Sequence, residues 1–429
     1  MTTTGPTPAP ALRGERPYKV PRHPAPIDLW LHANEGPPPP AALYDALAAR
    51  GPELLQRYPA GTAAVEAALA ERLGVAPTRV LVTAGGDDAL DRAFRAFLWP
   101  GREVVLPVPT FVMLERYARL AGATVRTIPW PGGPWPLDAA LAAIGPDTGA
   151  VAVVSPNNPT GAVITGAALR ELAAAAPGAA ILCDLAYAEF ADEDLTAVAL
   201  ELDNALVFRT LSKAWGLAGA RVGYVVGPEP LVAVLRAAGN PYSVSAPSAA
   251  LALAHLASGE PQMARYCDRV RAERGALRGL LVDLGVDCPE SQGNFVLARF
   301  RAPARALWLR DALAALGIGV RAFPGEPHLE DAVRVTCPGD AAALDRVLRA
   351  VRAALAPTAL IVDDLFALEA VDGAAAWFFS ADPAALAAAR AMGAVPIALD
   401  PAPESAPAAL QSASARVVPH PDALEEVLP

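Results

Sequence analysis

The alternation of short apolar runs with helical segments is the feature that most constrains the fold of this chain. From about Val80, apolar runs such as VLVTAG, AVAVVSP and AAILCDLAY are separated by stretches of helical periodicity such as DDALDRAFRAFL. EVVLPVP, TVRTIPW, ALVFRT and RVGYVVG have the same character. A strand without polar alternation is buried on both faces, and strands separated by helices pair in parallel. The sequence therefore predicts an α/β fold, with a mostly parallel sheet covered by helices on both faces.

Shifts in composition and periodicity predict four segments. Residues 1–30 form a Pro-rich arm, and residues 31–240 form a large α/β domain whose N-terminal part contributes to a small domain. Residues 241–356 combine a long helical region with three strand-like runs, which predicts a smaller α+β domain. Residues 359–429 form an appended α/β unit, in which LIVDD, AAAWFF and AVPIAL flank the helix PAALAAARAMG.

Charge and composition exclude several classes of partner. The chain of 429 residues carries a net charge of −10, with a pI near 5.1, whereas nucleic acids and anionic membranes select basic surfaces. The N-terminus lacks an apolar signal core and no apolar run is long enough to span a bilayer, so we expect a cytoplasmic protein. Its four cysteines lack paired spacing, which predicts buried thiols and no metal site.

Lysine is nearly absent from this chain. Of 35 basic residues only Lys19 and Lys213 are lysine, and arginine is used everywhere else. A lysine amine forms a Schiff base with an aldehyde, whereas a guanidinium does not. The interior lysine, Lys213 in RTLSKAWGLAGARVGY, therefore indicates a catalytic amine, although a surface lysine retained by chance would give the same composition.

The residues around this lysine suit a phosphate monoester. Thr210 and Ser212 precede it and Arg221 follows it, which supplies two hydroxyls and a guanidinium. Upstream, TAGGDDAL places Gly86 and Asp87 between a strand and a helix, where backbone N–H groups and the helix dipole form an anion site. A Gly-Gly turn alone often only connects a strand to a helix. Together, the two segments predict one phosphate site.

Further candidate residues follow the ends of predicted strands. Asp184 ends AAILCD, where a carboxylate faces the ligand crevice of an open sheet and can pair with a protonated pyridine nitrogen. Asn158 in SPNNPTG and Tyr187 can hydrogen-bond a phenolic oxygen, and Phe111 can stack on a flat ring. A structural turn at Asn158 and core packing of Phe111 are the alternatives.

Nine stretches, in family order over about residues 17–356, resemble the fold type I pyridoxal-phosphate enzymes. The resemblance is to the class I and II aminotransferases and, within them, to the histidinol-phosphate aminotransferase branch. The stretches are RYP (57–59), AGGDDAL, PTF (109–111), SPNNPTG, DLAYAEF, RTLSKAWGLAGARVGY, NPYSVS, SQGNF and VRVTCPG.

The resemblance implies pyridoxal 5'-phosphate as cofactor, a large domain that binds it, a homodimer and a ping-pong cycle. It also implies that Lys213 bonds the cofactor and moves the substrate proton, and that Asp184 pairs with the pyridine nitrogen. The other implied cofactor contacts are Asn158 and Tyr187 to the ring oxygen, Phe111 on the ring face, Gly86, Asp87, Thr210, Ser212 and Arg221 to the phosphate, and Tyr58 to the phosphate of the neighbouring subunit's cofactor.

For the substrate, Arg334 matches the family arginine that holds an anionic group, and Arg321 in GVRAF matches a second arginine of the histidinol-phosphate branch. Tyr18 and Asn34 align with substrate-side residues of that branch. Two arginines suit a phosphate dianion better than one carboxylate, although surface ion pairing is the alternative for Arg321. Gly36 and Leu185 depart from the family pattern, which affects substrate fit and leaves proton transfer intact.

The implied reaction is amino transfer between glutamate or 2-oxoglutarate and an imidazole, other phosphate-bearing or aromatic substrate. Two same-fold alternatives are a threonine-phosphate decarboxylase and an aromatic amino acid aminotransferase. A non-enzymatic scaffold is a third, but it gives no reason to retain Lys213, Asp184, Asn158 and Arg221 together.

The appended unit resembles a shortened haloacid dehalogenase-like phosphatase. ALIVDDLFALEAVDG is similar to the first motif of that family, with Asp363 at the nucleophile position. Leu365 stands where the family has its acid/base aspartate, and no lysine follows Lys213. We therefore expect a degenerate, catalytically inactive unit.

Overall fold

The computed structural model describes residues 9–13, 15, 17, 23–59, 61–371 and 375–424, apart from the side chain of Asp422. The chain forms two compact units. The first unit comprises Met1–Lys19 and Glu35–Asp268, and the second comprises Val20–Asn34 and Arg269–Pro429. No helix in the described part of the chain is long and apolar enough to cross a membrane.

The described strands and helices alternate along most of the chain. The strands are β1 (Leu29–Trp30), β2 (Val80–Thr83), β3 (Glu103–Val108), β4 (Thr124–Pro129), β5 (Thr148–Val154), β6 (Ala180–Asp184), β7 (Ala205–Thr210), β8 (Gly223–Val226), β9 (Phe295–Arg299), β10 (Ile318–Gly319), β11 (Arg321–Ala322), β12 (Ala332–Thr336), β13 (Ala359–Val362), β14 (Ala376–Ser380), β15 (Val395–Leu399) and β16 (Arg416–Val418). The α-helices are α1 (Ala42–Ala48), α2 (Glu53–Gln56), α3 (Ala63–Leu73), α4 (Gly85–Phe97), α5 (Val112–Leu120), α6 (Leu137–Ala143), α7 (Gly166–Ala175), α8 (Thr196–Leu200), α9 (Glu229–Ala237), α10 (Ala246–Ser258), α11 (Glu260–Asp283), α12 (Pro303–Ala315), α13 (Ala341–Leu355), α14 (Leu365–Ala370), α15 (Pro383–Ala391) and α16 (Ala408–Ala413).

A seven-stranded sheet forms the centre of the first unit. Its strand order is β2-β8-β7-β6-β5-β3-β4, and the seven apolar runs singled out in the sequence supply these seven strands. Neighbouring strands are parallel except at β8, which is antiparallel to both β2 and β7. Every residue of β2, β5, β6, β7 and β8 is buried, as expected for strands covered on both faces. The predicted α/β fold with a mostly parallel sheet is confirmed.

The second unit contains an antiparallel sheet in the order β11-β12-β9 and a parallel pair formed by β1 and β10. Its C-terminal part is a four-stranded parallel sheet in chain order, β13-β14-β15-β16. Three of these four strands were predicted from the sequence, and β16 was missed.

The C-terminal sheet shares a hydrophobic core with α12 and α13. Alternate residues of β14 enter two clusters: Trp377 and Phe379 pack with residues of α12 and α13, whereas Phe378 packs with α14 and α15. The rings of Trp377 and Trp308 meet edge to face with centroids 5.0 Å apart. Each indole N–H donates to a carbonyl at the end of α13, at 2.7 Å for Trp377 and 2.9 Å for Trp308. The appended residues therefore belong to the second unit's core.

Candidate active site

Most of the predicted cofactor residues follow the carboxyl ends of strands in the seven-stranded sheet. Because β2 and β7 are both antiparallel to β8, they run in the same direction as each other and as β3, β5 and β6. The turns that follow these strands therefore lie at one edge of the sheet, where open α/β folds bind their ligands. Gly86 and Asp87 follow β2, Phe111 follows β3, Asn158 follows β5, Asp184 ends β6, and Thr210 ends β7.

One group of these residues forms an anion cradle. Gly86 and Asp87 lie in the first turn of α4, where the helix supplies no acceptor for backbone N–H groups, and the space beside the Gly86 Cα is open. The Arg221 guanidinium reaches this turn and donates to Asp87 Oδ2 at 3.1 Å. A Cβ on the neighbouring Gly85 would come within 2.7 Å of Arg221 Nη2, so glycine permits this approach. Arg221 itself adopts the left-handed conformation, with φ at 52°.

The two hydroxyls predicted for the same phosphate site bond each other. The Thr210 hydroxyl donates to Ser212 Oγ at 2.9 Å, and the Ser212 backbone N–H donates to Thr210 Oγ1 at 3.1 Å. Both residues are buried. A guanidinium, two hydroxyls and helix-terminal N–H groups together provide the donors that a phosphate monoester requires.

Asp184, in contrast to the anion cradle, is a buried acid, and a cationic partner would stabilise its ionised form. Its side chain is buried and Oδ1 accepts the Ala186 backbone N–H at 3.1 Å. Burial, reinforced by the Asp87 carboxylate, raises the pKa of Asp184 to about 6, and Ala186 N–H and the Lys213 ammonium oppose that rise. A cationic partner would restore the ionised form. The Lys213 Nζ lies 5.8 Å from the centroid of the Tyr187 ring.

Asn157, which the sequence reasoning missed, connects two of the predicted loops. Its amide donates to the Pro109 carbonyl and to Thr160 Oγ1, each at 2.9 Å, and its oxygen accepts the Thr110 hydroxyl at 2.7 Å. Asn157 is fully buried, and the two bonds that its amide donates are shielded from water. The network fixes the PTF and NPTG turns that carry Phe111 and Asn158.

A second missed residue, Arg209, stands directly before Thr210 and is buried in an ion-pair network. Its guanidinium contacts Glu189 Oε1 at 2.9 Å and Asp194 Oδ2 at 2.8 Å, and it donates to Thr196 Oγ1 at 2.6 Å. The network joins the end of β7 to the loop after β6. The only sequence signal was its place within RTLSK.

Gly36, which stood out only as a departure from the family pattern, packs against the Lys213 turn. Gly216 N–H donates to the Lys213 carbonyl at 3.0 Å and closes that turn. A Cβ on Gly36 would collide with the same Lys213 carbonyl, and a Cβ on Gly216 would collide with the Pro37 carbonyl. Both positions therefore require glycine while the backbone keeps this path.

Tyr58 lies away from these contacts. It is 79% exposed and stacks on Tyr242 of the NPYSVS motif, with ring centroids 4.7 Å apart.

The predicted substrate residues belong to the second unit, apart from Tyr18, which lies outside the described residues. Arg321 and Arg334 are directly opposite each other on β11 and β12. Arg334 is buried and donates to the His32 carbonyl at 2.6 Å. The buried Asn34 accepts the Thr336 hydroxyl at 2.8 Å and has a positive φ of 55°. Since Thr336 lies two residues after Arg334, both side chains project from the same face of β12.

Pyridoxal phosphate requires a carboxylate at its ring nitrogen, an amine for its aldehyde and donors for its phosphate. The first unit provides all three groups at one edge of the sheet. Asp184 lacks a sufficient cationic partner and the cradle presents donors for an anion. The residues therefore fit this cofactor. The fold and site define the class of fold type I pyridoxal-phosphate enzymes.

Comparison with known proteins narrows this class. The model of the family "Aminotransferase class I and II" matches residues 27–351, and this chain belongs to that family. It is 37% identical over 332 residues to histidinol-phosphate aminotransferase from Dinoroseobacter shibae, covering 76% of this chain and 90% of the relative. It is also 37% identical over 339 residues to the protein of that name from Xanthomonas campestris pv. campestris (strain B100), with the same coverage.

A solved structure agrees with this assignment. The crystal structure of histidinol-phosphate aminotransferase from Sinorhizobium meliloti in complex with pyridoxal-5'-phosphate superposes with a TM-score of 0.71 at 25% identity, covering 82% of this chain and all of that one. The predicted enzyme class, an aminotransferase that uses pyridoxal 5'-phosphate, is confirmed.

Proposed function

We propose that this aminotransferase exchanges an amino group between glutamate or 2-oxoglutarate and a phosphate-bearing partner of the histidinol phosphate type. The named relatives at 37% identity support this substrate. Within the structure, the supporting observation is the pairing of Arg321 with Arg334 on adjacent antiparallel strands.

The pairing matters because residues directly opposite on antiparallel strands project their side chains to the same face, with Cβ atoms about 5 Å apart. Two guanidinium groups on one face provide up to four N–H donors in two forks, which matches a phosphate dianion. The ring of Phe295 lies 5.4 Å from the Arg334 guanidinium and restricts its orientation. A lone substrate carboxylate would require only one of these arginines.

The proposed roles in the first unit are supported by the positions of the residues at one edge of the seven-stranded sheet. When bound, the cofactor withdraws electrons from the substrate Cα through its protonated ring. Asp184 holds the ring nitrogen protonated, and the cradle of Gly86, Asp87, Thr210, Ser212 and Arg221 holds the phosphate. Lys213 bonds the cofactor and then carries the proton removed from the substrate Cα. Phe111, Asn158 and Tyr187 orient the ring.

The homodimer is also part of this proposal. Tyr58 and Tyr242 form an exposed stacked pair in the first unit, where Tyr44 and Leu55 are exposed as well. A partner subunit covering these rings would bury apolar area and bring Tyr58 to the partner's cofactor phosphate.

For the C-terminal sheet, we retain the proposal of a degenerate phosphatase-like unit without activity. Its parallel strands in chain order and the position of Asp363 just after β13 support the resemblance. Phosphatase turnover with magnesium that Asp363→Ala abolishes would contradict this part.

The substrate proposal is tested by steady-state kinetics with histidinol phosphate, phenylalanine and threonine phosphate as amino donors to 2-oxoglutarate. We expect histidinol phosphate to have the highest kcat/KM, and Arg321→Gln to reduce that value about tenfold or more while changing phenylalanine turnover less than threefold. Arg349→Gln, a substitution in an exposed i,i+4 ion pair on α13, is the matched control. Preference for phenylalanine, or release of carbon dioxide from threonine phosphate, would overturn the assignment.

A further inference from the structure

A cavity of about 370 Å³ lies within the second unit, and the proposed amino-transfer site does not use it. One wall consists of β1 with the residues on either side of it, of α12 and of the end of β10, and the other consists of α16, β16 and the two residues between them. The C-terminal wall includes Gln411 and Arg416, which lie beyond residues 27–351 matched by the family model. The cavity is therefore completed by the appended residues and is not a property of the family domain alone.

The charged groups of this cavity surround one carboxylate. Asp311 is largely buried and contacts His23 Nε2 at 3.2 Å, Arg310 Nε at 2.6 Å and Arg416 Nη2 at 3.8 Å. Burial of Asp311 works against its ionisation, but hydrogen bonds from His23 and Arg310 outweigh burial and lower the pKa of this carboxyl. Asp311 is therefore an anion that two arginines share.

The hydrogen bonds of His23 assign the roles of its two ring nitrogens. His23 Nδ1 accepts the Ala25 backbone N–H at 3.1 Å, and a backbone N–H can only donate. The ring proton of His23 must then be on Nε2, where it is donated to Asp311. The arginines contribute two positive charges against one negative charge on Asp311, so the cluster carries a net positive charge.

Donor groups remain available on both arginines. Arg310 uses Nε toward Asp311, and the 3.8 Å contact of Arg416 is longer than a hydrogen bond. Among the described residues, the structure gives the terminal nitrogens of Arg310 and Arg416 no hydrogen-bond acceptor. Both side chains are 31% exposed and line the cavity.

The rest of the lining is mainly apolar. Ile27, Trp30, Val320 and Val417 supply aliphatic and aromatic surface, and Trp30 is 55% exposed. Concave sites of 300–1,000 Å³ that combine apolar walls with a few charged groups are typical of small-molecule binding, and this cavity is at the small end of that range. We propose that this cavity is a second ligand site, which binds a small organic anion whose carboxylate or phosphate contacts Arg310 and Arg416 and whose apolar body lies against Trp30.

The site is connected to the proposed substrate residues by a short segment. Trp30 and His32 line the cavity, and the His32 carbonyl accepts a hydrogen bond from Arg334 at 2.6 Å. A ligand that shifts this segment would move the acceptor that orients Arg334. We therefore expect occupancy to change the KM for the phosphate-bearing substrate by at least threefold with kcat nearly constant, an expectation that rests on the proposed function.

Binding is tested by isothermal titration calorimetry on the full-length, pyridoxal-phosphate-loaded protein. The probes are phenylacetate, phenyl phosphate, inorganic phosphate and neutral phenylacetamide. Arg334→Gln is used as the background, because it removes the buried arginine of the proposed substrate site and so weakens anion binding there. We expect phenylacetate or phenyl phosphate to bind with a submillimolar Kd, and whichever binds more tightly identifies the oxyanion. Inorganic phosphate and phenylacetamide should bind at least tenfold more weakly.

Variants assign the binding to the cavity. In the same background, Arg416→Gln should weaken binding tenfold or more, Trp30→Ala should weaken it by at least threefold, and the exposed Arg349→Gln should leave it unchanged. Circular dichroism and melting temperatures of each variant verify that the fold is retained, and Trp30→Ala serves as the test if Arg416→Gln fails to fold.

Three results would overturn the proposal. They are the absence of submillimolar binding, binding that both Arg416→Gln and Trp30→Ala leave intact, and phenylacetamide binding as tightly as phenylacetate. A KM that does not change at saturating ligand would refute the coupling alone. Calorimetry does not depend on turnover. If the histidinol phosphate assignment fails, the binding measurement therefore still tests the cavity proposal separately.

Discussion

The buried carboxylate of Asp184 should make the stability of the cofactor-free protein depend on pH in a predictable direction. Its pKa is about 6 in the folded chain against an ordinary value of 3.8. The folded state therefore holds this proton more tightly than the unfolded state does. The stability that results is complete below about pH 3.8 and is lost as the pH rises through about 6.

The size of this effect follows from the shift. A difference of about 2.2 pKa units corresponds to about 3 kcal/mol of unfolding free energy over the whole window, and roughly half of that is lost between pH 5 and 7.5. Pyridoxal phosphate should remove this loss, because its protonated ring nitrogen stabilises the ionised carboxylate. The sign of the pH effect in the cofactor-free protein thus reports a buried carboxyl group without a sufficient cationic partner.

The assay is urea unfolding of the cofactor-free protein at pH 5.0 and 7.5, compared with Asp184→Asn. Asparagine keeps the oxygen that accepts the Ala186 N–H and cannot ionise. We expect the wild type to lose about 1 to 1.5 kcal/mol more than the variant over this interval, with Asp203→Asn, an exposed substitution, behaving as the wild type. Equal losses in the wild type and Asp184→Asn would refute the reasoning, because the slope would then come from other groups.

Three further substitutions have defined outcomes. Lys213→Ala should abolish turnover and the borohydride-trapped cofactor adduct seen by mass spectrometry, while cofactor phosphate binding in the cradle persists; residual turnover above about 1% would contradict the role. Gly36→Ala should lower kcat and the melting temperature because its Cβ meets the Lys213 carbonyl, whereas Gly178→Ala, which meets nothing, should be neutral by the same measurements. Trp377→Ala should reduce the unfolding free energy by about 3–5 kcal/mol in urea titrations, against little change for the 85% exposed Phe366→Ala; equal effects would refute the shared core.

The strands of the first unit could be predicted because a sheet covered on both faces leaves an uninterrupted apolar run for each strand. AVAVVSP and AAILCDLAY have no polar alternation, and β5 and β6 are buried throughout. The direction of β8 could not be predicted in this way, since an apolar run has the same composition in either orientation. The connection from β7 to β8 lacks a crossover α-helix, which is the one signal that could have favoured an antiparallel pair.

The residues of the candidate site were also predictable from the sequence only in part. Residues with distinctive chemistry, such as Lys213 and Asp184, were predicted because few other residue types perform their roles. Asn157 and Arg209 were missed, and Gly36 was noted only as a departure from the family pattern, because their importance depends on contacts with residues distant in sequence. Asn157 donates a hydrogen bond to the carbonyl of Pro109, which lies 48 residues away, and the local sequence NNP does not indicate that contact. Positioning residues are defined by the tertiary structure, whereas reacting residues are defined by their own functional groups.

In the C-terminal sheet, an uninterrupted apolar run predicted a strand but did not indicate that the strand shares a core with α12 and α13. The sequence predicts AAAWFF as a strand of an appended unit, because it flanks the helix PAALAAARAMG together with LIVDD and AVPIAL. In the structure, Trp377 and Phe379 face the core of α12 and α13 while Phe378 faces the helices of its own sheet. Two large aromatic residues of β14 lie on one face of the sheet and the aromatic residue between them lies on the other, so both faces require apolar cover. Helices within residues 359–424 cover only one of these faces. The other side had to come from elsewhere in the chain, and Trp308 on α12 supplies part of it. Removal of the appended residues would therefore expose Trp308 and its neighbours, so we expect it to destabilise the unit that carries Arg321 and Arg334.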